Sequence, residues 1–283
     1  MNSRHLSFEF FPPKTPEGKE KLIHVHRKLS GLQPEFFSVT YGAGGSTKEF
    51  TRDFVLAIQA AGSSAVPHLS VCADEKSSLL TLLHEYKEAG IKKIVTLRGD
   101  LPSGMGGAKQ LIYANELVAF VREHFGDSFE ILVAAYPEIH PEAESYEKDI
   151  YWLKKKFEAG ASRGITQYFY NPDSYAYFIE QCQKAGIKAP IIPGIMPITN
   201  YHNLIRFSDS CGADIPRWIK KRLHQYGDDI DSIRDFGLDI VTSLCENLLS
   251  HGAPGLHFYT MNQADVSLSL CKRLGFIDAH AQY

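Results

Sequence analysis

Cysteine is scarce in this chain. The five residues Cys72, Cys182, Cys211, Cys245 and Cys271 are odd in number, and no two are spaced Cys-x-x-Cys. A disulfide framework and a zinc knuckle are therefore excluded as organising devices, and a reducing cytoplasm is the simplest compartment. Long apolar runs are missing too. None approaches the roughly 18 residues needed to cross a bilayer. The opening MNSRHLSFEFFPP has no apolar stretch after a basic start, so no secretory signal is visible. Basic excess is also lacking: 30 Lys and Arg stand against 33 Asp and Glu, for a net charge of −3. That balance argues against a sequence-independent nucleic-acid binder. Hydrophobic residues at 44% and charged residues at 22% exclude a mostly disordered chain.

What the chain does have is recurrent punctuation. A polar segment of helical period ends at a glycine, and a β-branched or aromatic run follows. The glycines are Gly31, Gly62, Gly90, Gly126, Gly160, Gly186 and Gly252. Each is read as a helix stop in the left-handed conformation. The runs at 36–41, 66–72, 93–97, 131–136, 165–170, 191–196 and 256–260, with 6–11 at the N-terminus, make eight candidate strands. Most are nearly continuously apolar, as parallel strands buried on both faces should be. Stripes such as Leu22, Val25, Leu29 and Leu79, Leu83, Tyr86 mark the helices between them, and Asp173 or Ser174 is the expected cap of the helix running to Ala185. The pattern predicts an α/β fold, a (β/α)₈ TIM barrel spanning 1–283 as one domain, with extra helical sequence at 215–250 before the last strand. An open Rossmann-like sheet is the alternative, but neither glycine cluster, at 42–47 or 104–109, carries its fingerprint.

In such barrels the active site lies at the C-terminal ends of the strands. Those ends carry Glu9, Thr40, Tyr41, Arg98-Gly99-Asp100, Tyr136, Glu138, His140, Gln167 and Tyr259, with His68 in mid-strand. Glu9 stands among Phe8, Phe10 and Phe11, a setting expected to raise its pKa and suit it as a general acid. The other reading is a carboxylate paired with a basic side chain at the barrel mouth. Arg98-Gly99-Asp100 suits a phosphate or a polar ring edge, or else an Arg–Asp ion pair in a turn. His68, His140 and His257 lack metal-ligand spacing and read as neutral hydrogen-bonded histidines, so no metal is expected. His24 and His26 read as a solvated helix face. Lys154, Lys155 and Lys156 read either as a helix-end charge run or as reach toward a pyrophosphate.

Eight short motifs then fall in order: FEFFPP (8–13), SVTYGA (38–43), PHL (67–69), LRGDLP (97–102), AAYPE with HPEA (134–143), ITQ (165–167), PG (193–194) and HFYT (257–260). Together they resemble the methylenetetrahydrofolate reductases of the bacterial, single-domain kind, from about Ser7 to the C-terminus. The resemblance implies an FAD-binding barrel. It would reduce 5,10-methylenetetrahydrofolate to 5-methyltetrahydrofolate with NADH or NADPH by a ping-pong route, in one-carbon metabolism and methionine biosynthesis. It also implies a cytoplasmic homo-oligomer without a regulatory domain.

By residue, the resemblance makes Glu9 the acid and Asp100 the group that contacts the pterin and tunes the flavin. Flavin contacts fall on Thr40, Tyr41, Ala43, His68, Arg98, Gly99, Asp100, Ala114, Tyr136, His140, Ala143, Asp149, Lys155 and Lys156. Folate contacts fall on Glu9, Asp100, Gln167, Asn203, Phe207 and Gln263. The chain departs from the family at Trp152, where asparagine is frequent, at Lys155 for arginine, and at Asn171, Asn203 and Gln263. Two other readings keep the barrel: a flavin-free lyase or aldolase, and a folate-binding subunit without catalysis. The first lacks a Schiff-base lysine near a strand end.

Overall fold

A computed structural model describes residues 5–41, 48–70, 76–98 and 113–277. Its frame is an all-parallel sheet of nine strand segments in the order β7-β6-β5-β4-β3-β2-β1-β9-β8. The segments are β1 His5–Phe10, β2 Phe36–Val39, β3 Ala65–Ser70, β4 Lys93–Leu97, β5 Glu130–Ala135, β6 Arg163–Thr166, β7 Ile191–Ile192, β8 Gly194–Ile195 and β9 Gly255–Tyr259. β7 pairs with β6 and β8 with β9. The two are consecutive halves of one run split at Pro193, which has no N–H to continue a ladder. Its carbonyl still accepts from the His257 N–H at 3.1 Å. Eight staves therefore form a nearly closed barrel, as the punctuation predicts.

Alternation along the staves divides the core in two. Phe8, Phe10, Phe37, Val39, Leu69, Ile94, Val133 and Phe258 belong to the large cluster under the helices. Phe36, Val66, Val95, Leu132 and Ile165 form a separate cluster, the plug inside the barrel. The plug residues share strand parity with Ser7, Glu9, Ser38, His68 and His257, so the polar residues continue the same inner face toward the mouth.

The helices lie between the staves: α1 Pro16–Ser30, α2 Lys48–Ala60, α3 Lys76–Glu88, α4 Ala114–Phe125, α5 Tyr146–Glu158 and α6 Pro172–Lys184. The extra sequence before the last strand is helical as expected. It forms α8 Arg217–Tyr226 and α9 Ile230–Ser250, preceded by α7 Tyr201–Cys211, and α10 Ala264–Arg273 closes the ring.

Four local expectations are corrected. Gly31 ends α1 with φ −58°, and the left-handed step falls on Gln33 at φ 50° instead; the other six glycines have positive φ. His26 is buried, packed 4.6 Å from the Phe37 ring and hydrogen-bonded to Ser63. The α6 cap is Asn171, whose side chain accepts from the Asp173 N–H. The run at 165–170 leaves the sheet after Thr166, and Tyr168 and Tyr170 join the cluster under the helices, bonding Ser208 Oγ and the Met196 carbonyl.

The N-terminal end of the barrel is closed by charge. Glu35 meets Lys93 at 2.6 Å, Arg163 at 2.9 Å and also His5. Glu130 meets Lys93 at 2.9 Å and also Arg163. Charge at this end reads as stability, since chemistry in this fold sits at the other.

Candidate active site

Strand register builds the mouth. β1 pairs with β9 so that Ser7 faces His257 and Glu9 faces Tyr259. β1 pairs with β2 so that Glu9 faces Ser38. Glu9 Oε2 consequently lies 3.3 Å from His257 Nε2, 3.2 Å from His68 Nε2 and 3.3 Å from Ser38 Oγ, which donates to it. The other nitrogen of His257, Nδ1, lies 2.8 Å from Ser7 Oγ. With Nε2–H directed at the carboxylate, the neutral ring accepts from the Ser7 hydroxyl.

This arrangement overturns the expectation for Glu9. Burial does penalise the anion, but His68 and His257 outweigh it, and the carboxyl is held down at about 2. Of the phenylalanines that suggested an apolar setting, Phe8 and Phe10 face the helices and Phe11 is exposed; the inner face holds imidazoles and hydroxyls. The reading as a carboxylate paired with basic groups is the one the geometry bears out. Its partners are His68, His257 and Ser38, with Ser7 on the far nitrogen of His257, and the strand alternation Ser7–Glu9 and His257–Tyr259 was the available signal for the inward face.

Tyr259 links this carboxylate to the opposite wall. Its hydroxyl donates to the Thr166 carbonyl at 2.6 Å, next to Gln167. The link passes over Gly194, whose N–H donates to Thr166 Oγ1 at 2.9 Å. A Cβ on Gly194 would strike the Thr166 carbonyl and the Tyr259 ring. Gln167 is half-buried, with its Oε1 on the Tyr168 N–H. Asn203 and Phe207 share one face of α7, and the Arg206 guanidinium lies 5.1 Å from the Phe207 ring. Gln263 precedes α10 and is exposed.

The wall formed by the end of β5 and α5 carries a second set. Ile139 sits at φ 77°, strained for a β-branched residue. The turn it makes sends its neighbours apart. Glu138 is tied to the Asp214 N–H and Ser174, so it braces a loop. The His140 N–H donates to Asp149 Oδ2 at 2.8 Å, and the His140 ring packs 4.5 Å from Tyr136. Lys156 reaches back to the Ala134 carbonyl at 2.9 Å, and burial lowers its pKa to about 8. Its neighbours Lys154 and Lys155 pair with Glu158, so only Lys156 of the three turns toward the barrel. Arg98 follows β4 and meets Glu142 at 2.5 Å. Ala114 begins α4, and Thr40 and Tyr41 follow β2. Ala43, Gly99 and Asp100 lie outside the described residues. Among the described residues no cluster of side chains could hold a metal ion, and no helix is long and apolar enough to cross a membrane.

A parallel barrel whose strand-end rim gathers a buried carboxylate–imidazole cluster and a separate cationic wall defines a (β/α)₈ enzyme scaffold. Comparison with known proteins gives it a family. Residues 1–275 match the methylenetetrahydrofolate reductase family model, and the chain belongs to that family. It is 40% identical over 272 residues to 5,10-methylenetetrahydrofolate reductase of Escherichia coli K12, covering 96% of this chain and 90% of that protein. It is 42% identical over 270 residues to the enzyme of the same name from Buchnera aphidicola subsp. Schizaphis graminum, at 95% and 91% coverage. Against methylenetetrahydrofolate reductase (NADH) 1 of Arabidopsis thaliana the identity is 36%, covering 96% of this chain and 48% of that one. In fold it is similar to an uncharacterised Clostridium thermocellum protein that binds two copies of 5-methyl-5,6,7,8-tetrahydrofolic acid. That match has a TM-score of 0.65 at 17% identity and covers 96% of both chains.

Proposed function

We propose that this chain reduces 5,10-methylenetetrahydrofolate to 5-methyltetrahydrofolate at the expense of NADH or NADPH, with FAD bound at the cationic wall. NADH is favoured as donor because the Arabidopsis relative is named for it. The observation that carries the reading is the Glu9 carboxylate held inside the barrel mouth by two imidazoles.

The residues suit a flavin dinucleotide. His68 Nε2 is buried 3.2 Å from Glu9 Oε2, and among the described residues no well-formed hydrogen bond satisfies it. Lys156 is a sheltered cation resting on a carbonyl, with Asp149 the nearby carboxylate that raises its pKa. A diphosphate would give this cation a further anionic partner beside Asp149. Thr40, Tyr41, Arg98, Tyr136, His140, Asp149 and Lys156 line the route, with Ala43, Gly99 and Asp100 as the further contacts. When bound, FAD supplies the relay of a hydride from the nicotinamide to the folate.

The chain's own part is proton handling and orientation. In the reaction the methylene carbon of the folate loses its bond to one nitrogen, that nitrogen takes a proton, and a hydride adds to the carbon. Glu9 is an anion in the open mouth, so it must take up a proton from solvent before it can give one to that nitrogen. As the mouth fills and water leaves, the carboxylate loses ground to the neutral acid. Once protonated, Glu9 hands its proton to the departing nitrogen. Gln167 and Phe207 orient the pterin by hydrogen bond and ring contact, with Asp100 the partner for its ring edge. Nucleotide and folate occupy this mouth in turn, which makes the kinetics ping-pong.

Half-reactions test the proposal. Purified protein should be yellow, bleach anaerobically with NADH and recover its colour with methylenetetrahydrofolate. Glu9→Gln should keep the bleaching and lose the recovery by at least a hundredfold. Folate turnover that survives the substitution would remove Glu9 from the mechanism. Colourless protein that cannot take up FAD would remove the flavin.

A further inference from the structure

α8 carries Arg217, Lys220, Lys221 and Arg222 and no Asp or Glu. No other helix among the described residues is so one-sided in charge. Ile219 and Leu223 bury one side of it. Arg217, Lys220, Lys221 and His224 fall three, four and seven residues along, so they share another face. That face runs about 10 Å along the helix axis. Among the described residues none of Arg217, Lys220 and Lys221 has a carboxylate partner, while Arg222 on the far flank bonds the Tyr226 hydroxyl. Neighbouring cations repel one another, so such a face gains most from an anion that carries several charges on one chain.

α7 leads to this face from the barrel mouth. Asn203 and Phe207 of α7 are the folate contacts of the reading above, and Asn203 Oδ1 accepts from Arg206 Nη2 at 3.2 Å. Tyr201, which opens α7, has its ring 6.1 Å from the His224 ring of α8. Acidic residues stand only beyond the ends of α8, with Asp214 before it and Asp228 and Asp229 after it. Asp229 is occupied in capping α9 through the Ser232 N–H. A second way out passes Gln263 into a cavity between α1, α9 and α10. There Lys21, Lys28 and Arg234 are matched by Glu20, Asp235 and Asp265, with Lys28 on Asp265 at 3.1 Å. Balanced charge gives a polyanion no advantage on that side.

We infer that the cationic face of α8, entered past Asn203 and Tyr201, holds the oligo-γ-glutamyl tail of the folate substrate. The inference rests on the folate reading above and adds which form of folate the chain selects. A folate ends in a glutamate, and each further glutamate joined through the γ-carboxyl leaves one more free carboxylate. Exposed lysines and arginines act on such a tail through their summed field, so the preference grows with tail length and weakens with salt. A lipid surface would need apolar and cationic groups side by side. Trp218, the exposed aromatic of α8, instead packs against Phe236 on the α9 side.

The test compares the monoglutamate and triglutamate forms of methylenetetrahydrofolate as substrates of the full-length holoenzyme. KM should be about tenfold lower for the triglutamate at low ionic strength, and the ratio should shrink as salt is added. Lys220→Glu combined with Lys221→Glu should bring the two KM values within twofold of each other. Both values come from one variant, so a folding defect cancels in the ratio. Lys21→Glu combined with Arg234→Glu, in the cavity beside α1, should keep the tenfold ratio. Equal KM values in the parent, or a ratio that survives the reversal on α8, would overturn the inference. So would a ratio lost only in the cavity variant. A reversal that releases the protein from phosphatidylserine vesicles and leaves the ratio intact would assign the face to a membrane instead. If neither folate is turned over by the parent, the reductase reading itself fails and takes this inference with it.

Discussion

His257 holds Ser7 with one ring nitrogen and Glu9 with the other, at 2.8 Å and 3.3 Å. Two residues on the same face of β1 are thereby joined through one imidazole from the neighbouring strand. Glu9's carboxyl depends on that imidazole and on His68 to stay ionised where water is scarce.

The pH dependence of stability follows from this. The Glu9 carboxyl titrates near 2 in the folded chain against an ordinary value of 4.5. Its contribution is therefore fully present above about pH 4.5 and is lost as pH falls toward 2. Replacing His257 with leucine removes one of the two opposing imidazoles, so the carboxyl's pKa should rise toward its ordinary value and less stability should be left to lose on acidification. Urea midpoints measured from pH 7 down to pH 3 should show the variant starting lower and falling less than the parent. Parallel curves would detach Glu9 from His257.

Lys156 makes a prediction of opposite sign for ligand binding. Burial depresses this lysine from 10.5 to about 8, so the free protein loses the charge as pH rises through that value. FAD affinity should fall severalfold between pH 7 and pH 9. Lys156→Met should bind FAD more weakly at pH 7 and show little change across that interval. Equilibrium titration by flavin fluorescence at three pH values is sufficient.

Gly194 should tolerate nothing larger. A methyl there meets the Thr166 carbonyl and comes within 2.6 Å of Tyr259 Cε2, in a stave fixed by pairing on both sides. Gly194→Ala should destabilise by about 3 kcal/mol or more, as overpacking against backbone does. Tyr259→Phe, which removes only the hydroxyl bonded to Thr166, should cost about 1 kcal/mol. Chemical denaturation of the two variants would compare them directly.

The charged closure at the N-terminal end should matter for stability alone. Glu35→Gln strips Lys93, Arg163 and His5 of a shared partner. A cost of about 2 kcal/mol is expected at neutral pH, since the group is only partly shielded from water. The difference should shrink as pH drops below the ordinary carboxylate range, because the parent's own Glu35 then becomes protonated. FAD and folate affinities should be unchanged, and a tenfold loss of either would show that this end communicates with the mouth.

Much of the architecture was legible before any coordinates. Glycine stops followed by apolar runs mark each helix-to-strand transition, and their number fixes the barrel. Local chemistry was less legible where neighbours in space mattered. Gly31 looks like every other stop but does not take the left-handed step, because Gln33 does. His26 reads as a polar helix position, yet the Phe37 ring and Ser63 cover it. In Lys154-Lys155-Lys156 the three lysines are indistinguishable by type, and only the helix phase separates the one on the Ala134 carbonyl from the two on Glu158.

The sequence by itself determined the order of strands and helices, the inward parity of Ser7 and Glu9, and membership of a reductase family. Period and punctuation are properties of the chain alone. Only the tertiary structure decided the protonation state of Glu9. Its phenylalanine neighbours in sequence point to the helices, while the groups that set its charge arrive from β2, β3 and β9. A pKa answers to what lies within a few ångströms, and in a closed barrel those neighbours are up to 248 residues away along the chain.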